Sequence, residues 1–140
     1  MIGIDIREPV RVLLVEDESV NRALVAAVVA KAQAGNRHRF ELTEAACLGE
    51  ALDAVRNMSF DVILLDVRLP DGNGLDVATE IRTKGIDSRI VVMSASVHAT
   101  EQDAALAAGA DEFIGKPFRP GQLIDLLYRI GDAKVAVRLG

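Results

Sequence analysis

The chain has a single cysteine, Cys47, so no disulfide can form within it, and this usage fits a reducing compartment. Its two histidines, His38 and His98, are far from each other and from Cys47, which excludes a His/Cys zinc site of standard spacing. Long apolar runs are also missing. The longest, Ala23 to Ala30, is well short of the ~20 residues a membrane-spanning helix needs. The opening residues, Met1-Ile2-Gly3-Ile4-Asp5-Ile6, lack the basic start and apolar stretch of a signal peptide. Nor is there an excess of basic charge. A net charge of −5 and a pI near 5.0 argue against non-specific nucleic-acid binding, and Lys134 and Arg138 form only a sparse basic tail. The expectation is a soluble cytoplasmic domain with no membrane or nucleic-acid partner.

What is present points to one folded unit. Half of the 140 residues are hydrophobic and mean hydropathy is +0.23, which excludes a disordered chain. This length builds an adequate core without disulfide or metal, and has no room for a second ordinary domain. Short β-branched apolar runs predict strands over Val10 to Val15, Asp61 to Asp66 and Arg89 to Ser94. Continuous runs bounded by polar residues are what strands covered on both faces look like. Phe40 to Glu44 alternates and predicts a strand nearer an edge, and Asp111 to Gly115 is a fifth, placed mainly by its position.

Helical patterns separate them. Leu24, Val25, Val28 and Val29 make one apolar stripe, with Ser19 or Asn21 near its start. Leu48, Ala51, Leu52 and Val55 make a second, and Leu75, Ala78 and Ile81 a third that Gly85 closes. Ala104, Ala105 and Ala108, closed by Gly109, carry small side chains only. Leu123, Ile124, Leu127 and Ile130, closed by Gly131, are the fifth. Alternating strands and helices imply βαβ units, hence a doubly wound α/β domain of three layers over residues 10 to 131. Residues 1–9 and 132–140 are expected to be frayed extensions, and Lys31 to Arg39 an exposed loop. Met1 favours a natural start.

In such sheets, ligands bind beyond the carboxyl ends of the strands. The first predicted strand ends in Glu16-Asp17, the third in Asp66, the fourth in Ser94 and the fifth in Lys116-Pro117. Three converging carboxylates repel unless something positive lies among them, and a hard divalent cation such as Mg²⁺ meets that need. A lysine and a hydroxyl beside it complete a pocket for a phosphoryl group. Singly, each has a plain structural explanation: a solvated acidic turn, an Asp66 that caps the loop Pro70 to Gly74, a surface lysine. The whole set, in order along one βα series, is what favours chemistry.

Val15-Glu16-Asp17-Glu18, Leu65-Asp66-Val67-Arg68-Leu69-Pro70-Asp71-Gly72-Asn73-Gly74, Met93-Ser94-Ala95 and Lys116-Pro117-Phe118 resemble the motifs of response regulator receiver domains. The resemblance covers residues 10 to 131, and Ser19 with Asn21-Arg22 is similar to receivers attached to hybrid histidine kinases. It implies a flavodoxin-like five-stranded parallel sheet of order 2-1-3-4-5. Asp66 would be the phosphoacceptor in a two-component phosphorelay, and Asp17 and Asp66 would ligate Mg²⁺. Glu16 would act through water, and the backbone carbonyl of Arg68 would complete the metal's protein ligands. Lys116 would pair with the phosphoryl oxygens across a cis Lys116-Pro117 bond, and Ser94 would hydrogen-bond one of them. Ser94 and Phe113 would be switch residues, and the segment Val97 to Ala108, with little apolar area, would shift most easily.

The implied partners are a histidine kinase or histidine phosphotransfer protein and a downstream protein; a homodimer is compatible. The sequence departs from the commonest pattern at Glu16 (for aspartate), Ser94 (for threonine) and Phe113, which lacks a phenolic hydroxyl. The expected protein is a signalling module that promotes its own phosphorylation and slow dephosphorylation, not an enzyme with small-molecule turnover. One alternative is a Mg²⁺-dependent phosphohydrolase with an Asp nucleophile, against which Arg68 stands where a second Asp would serve as acid/base. Another is a receiver-like module that binds without phosphate. His38 and His98 have no catalytic or metal-binding pattern, although His98 is placed to line the pocket rim. Cys47 is expected as a small filler at a helix start.

Overall fold

The computed structural model describes residues 8–95 and 98–139. Most of the expected N-terminal extension and Val97 lie outside these residues. The chain runs β1 (Val10–Val15), α1 (Ser19–Ala34), β2 (Phe40–Ala45), α2 (Leu48–Asn57), β3 (Val62–Asp66), β4 (Arg68–Leu69), β5 (Gly72–Asn73) and α3 (Leu75–Thr83). It continues through β6 (Arg89–Ser94), α4 (Ala99–Ala107), β7 (Glu112–Gly115) and α5 (Pro120–Leu139). Five strands form one parallel sheet of order β2-β1-β3-β6-β7. Counting only its members, this is the expected flavodoxin-like order 2-1-3-4-5. The unexpected elements are β4 and β5, a two-stranded antiparallel hairpin formed by residues whose composition reads as turn.

Two apolar clusters sandwich the sheet. On one face Val25, Val28, Val29 and Ala32 of α1 meet Leu123, Leu126 and Leu127 of α5 over Val12, Leu14, Leu64 and Val91. On the other, Ala51 and Val55 of α2 and Val77, Ala78 and Ile81 of α3 cover Leu13, Ile63, Leu65 and Val92, together with Ala105 of α4. The central strands are buried on both sides, which is why they read as continuous apolar runs. Strand order reverses between β1 and β3. The chain leaves β1 toward β2 on one side and returns to β3 on the other, opening a crevice at their carboxyl ends.

Several local expectations are corrected. Leu24 is 48% exposed, because the buried face of α1 follows the i, i+3, i+4, i+7 positions 25, 28, 29 and 32. Ala104 is likewise exposed, and Ala105 is the buried residue of α4. Lys31 to Arg39 is not one exposed loop: α1 continues to Ala34, Ala32 is fully buried, and its carbonyl accepts the Tyr128 hydroxyl at 2.9 Å. Beyond it, Asn36 has a φ of 59°, and Arg37 and His38 both reach Asp132 on α5.

The largest correction concerns the end of the chain. Gly131 does not stop α5, which runs on to Leu139, so residues 132–139 are helical rather than frayed. Gly131 packs against His38, just before β2: a Cβ there would fall 2.5 Å from His38 Cδ2. Lys134 then fixes the added turns, donating to Asp61 Oδ2 and to the Pro9 carbonyl, each at 2.9 Å. Among the described residues, no helix is long and apolar enough to cross a membrane.

Candidate functional site

The crevice at the reversal point collects the residues that stand at strand ends. Parallel register sets Asp66 opposite Met93 and Ser94 opposite Gly115, so Asp66, Ser94 and the residue after β7, Lys116, come from neighbouring strands. The Ser94 carbonyl accepts the Lys116 amide at 2.8 Å, and the Lys116–Pro117 bond is cis, as the resemblance implied. Glu16, the residue after β1, is only 3% exposed. Its Oε1 takes the Lys116 ammonium at 2.6 Å and its Oε2 accepts the Glu18 amide at 3.1 Å. Lys116 is also 3.3 Å from Asp66 Oδ2, and Asp66 Oδ1 accepts the Arg68 amide at 3.3 Å. One carboxylate oxygen from each of Glu16, Asp17 and Asp66 lies within 4.8 Å of the others.

Burial and pairing divide these groups electrostatically. Burial pushes the Asp66 carboxyl above the usual aspartate range; Lys116 opposes this and the Glu16 charge adds to it. Burial would raise Glu16 too. There, the Lys116 hydrogen bond, the Glu18 amide and the lysine's charge outweigh it and hold the carboxyl low. Burial works to lower the Lys116 ammonium, but its hydrogen bond to Glu16 and the charges of Asp66 and Glu16 raise it. The lysine thus stays charged inside the carboxylate cluster. An all-oxygen donor set this close suits a hard divalent cation, and the Lys116 ammonium among them suits an anionic oxygen group.

The remaining residues separate by position. Arg68 opens β4, two residues beyond the end of β3. Phe113 pairs with Val92 and packs half-buried against the apolar cluster that α2, α3 and α4 form on one face of the sheet. His98 is exposed at the start of α4 and is not among the residues lining the crevice. Beneath the charged mouth is a cleft of about 290 Å³ walled by Leu14, Leu24, Leu64, Met93 and Phe118.

Arg22, Asp71 and Gly74 stand within quoted motifs, but the sequence assigned them no role, and the structure gives each one a contact near the site. Arg22 Nη1 donates to the carbonyls of Glu16 and Asp17, each at 2.9 Å, and its Nε lies 3.5 Å from Glu44. Gly74 packs on the backbone of Asp66, where a Cβ would collide with the Asp66 carbonyl. Asp71 accepts the Leu48 and Gly49 amides at 2.7 and 2.9 Å. Cys47 is at a helix start as expected, but it serves as the N-cap of α2, its sulfur accepting the Glu50 amide at 3.5 Å.

Comparison with known proteins agrees with this geometry. Residues 12–128 match the family model described as response regulator receiver domain. The chain is 30% identical over 135 residues to the cell cycle transcriptional regulator CtrA of Caulobacter vibrioides, covering 93% of this chain and 56% of that protein. It is 36% identical over 121 residues to the response regulator MprA of a Mycobacterium species, covering 83% and 48%. The chain therefore spans about half the length of these curated relatives. Chemotaxis protein CheY of Thermotoga maritima is 30% identical over 121 residues, covering 86% of this chain and 96% of that one.

Among solved structures, CheY4 of Vibrio cholerae superposes with a TM-score of 0.77 at 26% identity, covering 88% of this chain and 99% of that one. The receiver domain of sensor histidine kinase PA1611 from Pseudomonas aeruginosa, solved with magnesium coordinated in its active-site cleft, gives 0.74 at 26% identity. It covers 89% of this chain and 99% of that one.

Proposed function

Since this chain belongs to the response regulator receiver domain family of two-component signalling, we propose that it accepts a phosphoryl group on Asp66 and thereby switches the partners it binds. Receiver domains are signalling modules and not turnover enzymes. The observation that carries the reading is the meeting of Asp66, Lys116 and the Glu16-Asp17 pair at the reversal point of the sheet.

Three carboxylate oxygens within 4.8 Å of one another fit a Mg²⁺ ion, which Asp17 and Asp66 would hold directly, Glu16 through water and Arg68 by its backbone carbonyl. When bound, the ion supplies neutralisation of phosphoryl charge. The chain's own groups do the rest. A carboxylate is a weak nucleophile, but phosphoryl transfer depends chiefly on positioning and charge stabilisation. An Asp66 carboxylate oxygen forms the O–P bond as the P–N bond of a donor phosphohistidine breaks, its electron pair staying on the imidazole nitrogen. Lys116 exchanges its contact with Asp66 for one with the phosphoryl oxygens.

Ser94 then closes on the new acceptor oxygens, drawing the segment after β6 inward. α4 buries only Ala105, which suits a helix that moves at small cost, with Phe113 beneath it as a second switch residue. The donor is a histidine kinase or a histidine phosphotransfer protein, the receiver of the signal a downstream protein, and the location the cytoplasm. A homodimer is one form the activated state can take.

Intact-mass spectrometry after incubation with acetyl phosphate and Mg²⁺ tests this. One phosphoryl adduct is expected in the wild type and none in Asp66→Ala or in a metal-free sample. An adduct that survives Asp66→Ala, or no adduct and no released phosphate in the wild type, overturns it.

A further inference from the structure

The segment between β3 and α3 carries Arg68, yet little of it is held by its own hydrogen bonds. β4 and β5 pair only Arg68 with Asn73 and Leu69 with Gly72. A two-stranded ribbon this short is not stable by itself in water. Its ends are fixed: Gly74 donates to the Val67 carbonyl at 2.6 Å, and Asn73 Oδ1 accepts the amide of Leu75, the first residue of α3, at 2.8 Å. Its tip is held by α2. The Asp71 carboxylate accepts the Leu48 amide on Oδ1 at 2.7 Å and the Gly49 amide on Oδ2 at 2.9 Å.

The chemistry on both sides makes this a strong tie. First-turn amides have no partner within their helix, and the positive end of the helix dipole favours a carboxylate. The N-cap of α2 itself, Cys47, has only a thiol, a weak acceptor that takes the Glu50 amide, so Asp71 supplies from a distant loop charged acceptors for the Leu48 and Gly49 amides. The amides of Gly49 and Leu48 in turn hold the Asp71 carboxyl below the usual aspartate range. Steric fit adds to it, since a Cβ on Gly72 would fall 2.7 Å from Leu48 Cδ2.

We propose that Asp71 is a positioning residue for the metal site: by pinning the hairpin tip to the first turn of α2, it fixes the Arg68 backbone relative to Asp66. The inference rests on reading the acidic cluster as a Mg²⁺ site. Partners that orient metal ligands typically govern affinity by 10–100-fold, so Asp71→Ala should weaken Mg²⁺ binding about tenfold. Asp71→Asn keeps one acceptor oxygen and should fall between the two.

The experiment is isothermal titration of Mg²⁺ into the full chain, with hydrogen exchange on the metal-free protein. Wild type, Asp71→Ala, Asp71→Asn and Asp17→Asn are compared. Expected are the graded loss of affinity, loss of binding in Asp17→Asn, and faster exchange at the Leu48 and Gly49 amides and across residues 68–73 in Asp71→Ala. If wild type and Asp71→Ala bind Mg²⁺ equally while Asp17→Asn does not bind, the positioning role is overturned and the metal site stands. A lower melting temperature with unchanged affinity overturns it in the same way, as a purely structural contact. If the wild type binds no Mg²⁺, the metal reading falls and this inference falls with it.

Discussion

Lys116 and Glu16, 100 residues apart in the chain, meet with the ammonium 2.6 Å from Oε1, closer than the 3.3 Å that separates the same ammonium from Asp66. Glu16 therefore carries the lysine while Asp66 keeps a less committed carboxylate, the arrangement a nucleophile needs. Lys116→Met removes the cation and leaves a nearly buried Glu16 and a half-buried Asp66 facing each other. Breaking a fully buried pair costs 3–5 kcal/mol; with the lysine one-fifth exposed, about 2 kcal/mol is expected in EDTA. Urea unfolding with and without Mg²⁺ checks this, and the loss should shrink when the metal is present.

Asp66 should make the metal-free protein less stable as pH rises. Burial lifts its folded-state carboxyl above the ordinary value of 3.8, so between those two values the native state binds more protons than the unfolded chain. Its stability contribution is complete below the ordinary value and is lost as pH climbs through the raised one. Asp66→Asn should therefore be more stable than wild type at pH 7 in EDTA, with the difference vanishing below about pH 4. A denaturation series across this range measures it, and a gap that widened on acidification would contradict the sign.

Arg22 ties down the turn that carries the acidic pair, one guanidinium nitrogen serving the Glu16 and Asp17 carbonyls while Nε faces Glu44. Lysine cannot reproduce that fork. Arg22→Ala should cost about 1 kcal/mol, the net value of such hydrogen bonds at a half-exposed site, and Arg22→Lys should recover less than half of it. Thermal melts in EDTA report the stability, and hydrogen exchange at residues 16–18 reports the turn.

Gly74 has no room for a side chain, because a Cβ would occupy the space of the Asp66 carbonyl. Gly74→Ala must move either the hairpin or the acceptor strand end, at about 2–3 kcal/mol for overpacking against backbone. Phosphoryl incorporation from acetyl phosphate should drop along with stability. Normal incorporation in a variant of wild-type stability would show that the backbone yields more easily than the contact implies.

Much of this protein is determined by local sequence. Apolar runs bounded by polar residues specified three of the five sheet strands, alternation marked Phe40 to Glu44 and position marked the last, and Glu16, Asp17, Asp66, Ser94 and Lys116 were legible as the residues at strand ends. The alternation of strands with helices then implied the doubly wound α/β class, and the family resemblance implied its strand order. Tertiary structure decided which groups touch. That Lys116 rests on Glu16 and that Asp71 holds amides of a helix 22–23 residues behind it depend on the order of strands in the sheet, and no local pattern encodes such contacts.

Helix ends follow the same division. Gly131 carries a stop signal worth only about 1 kcal/mol, and the fold overrides it. Close packing of Gly131 on His38, and the bonds of Lys134 to Asp61 and Pro9, keep α5 going to Leu139. A weak local preference gives way wherever several long-range contacts favour the other conformation.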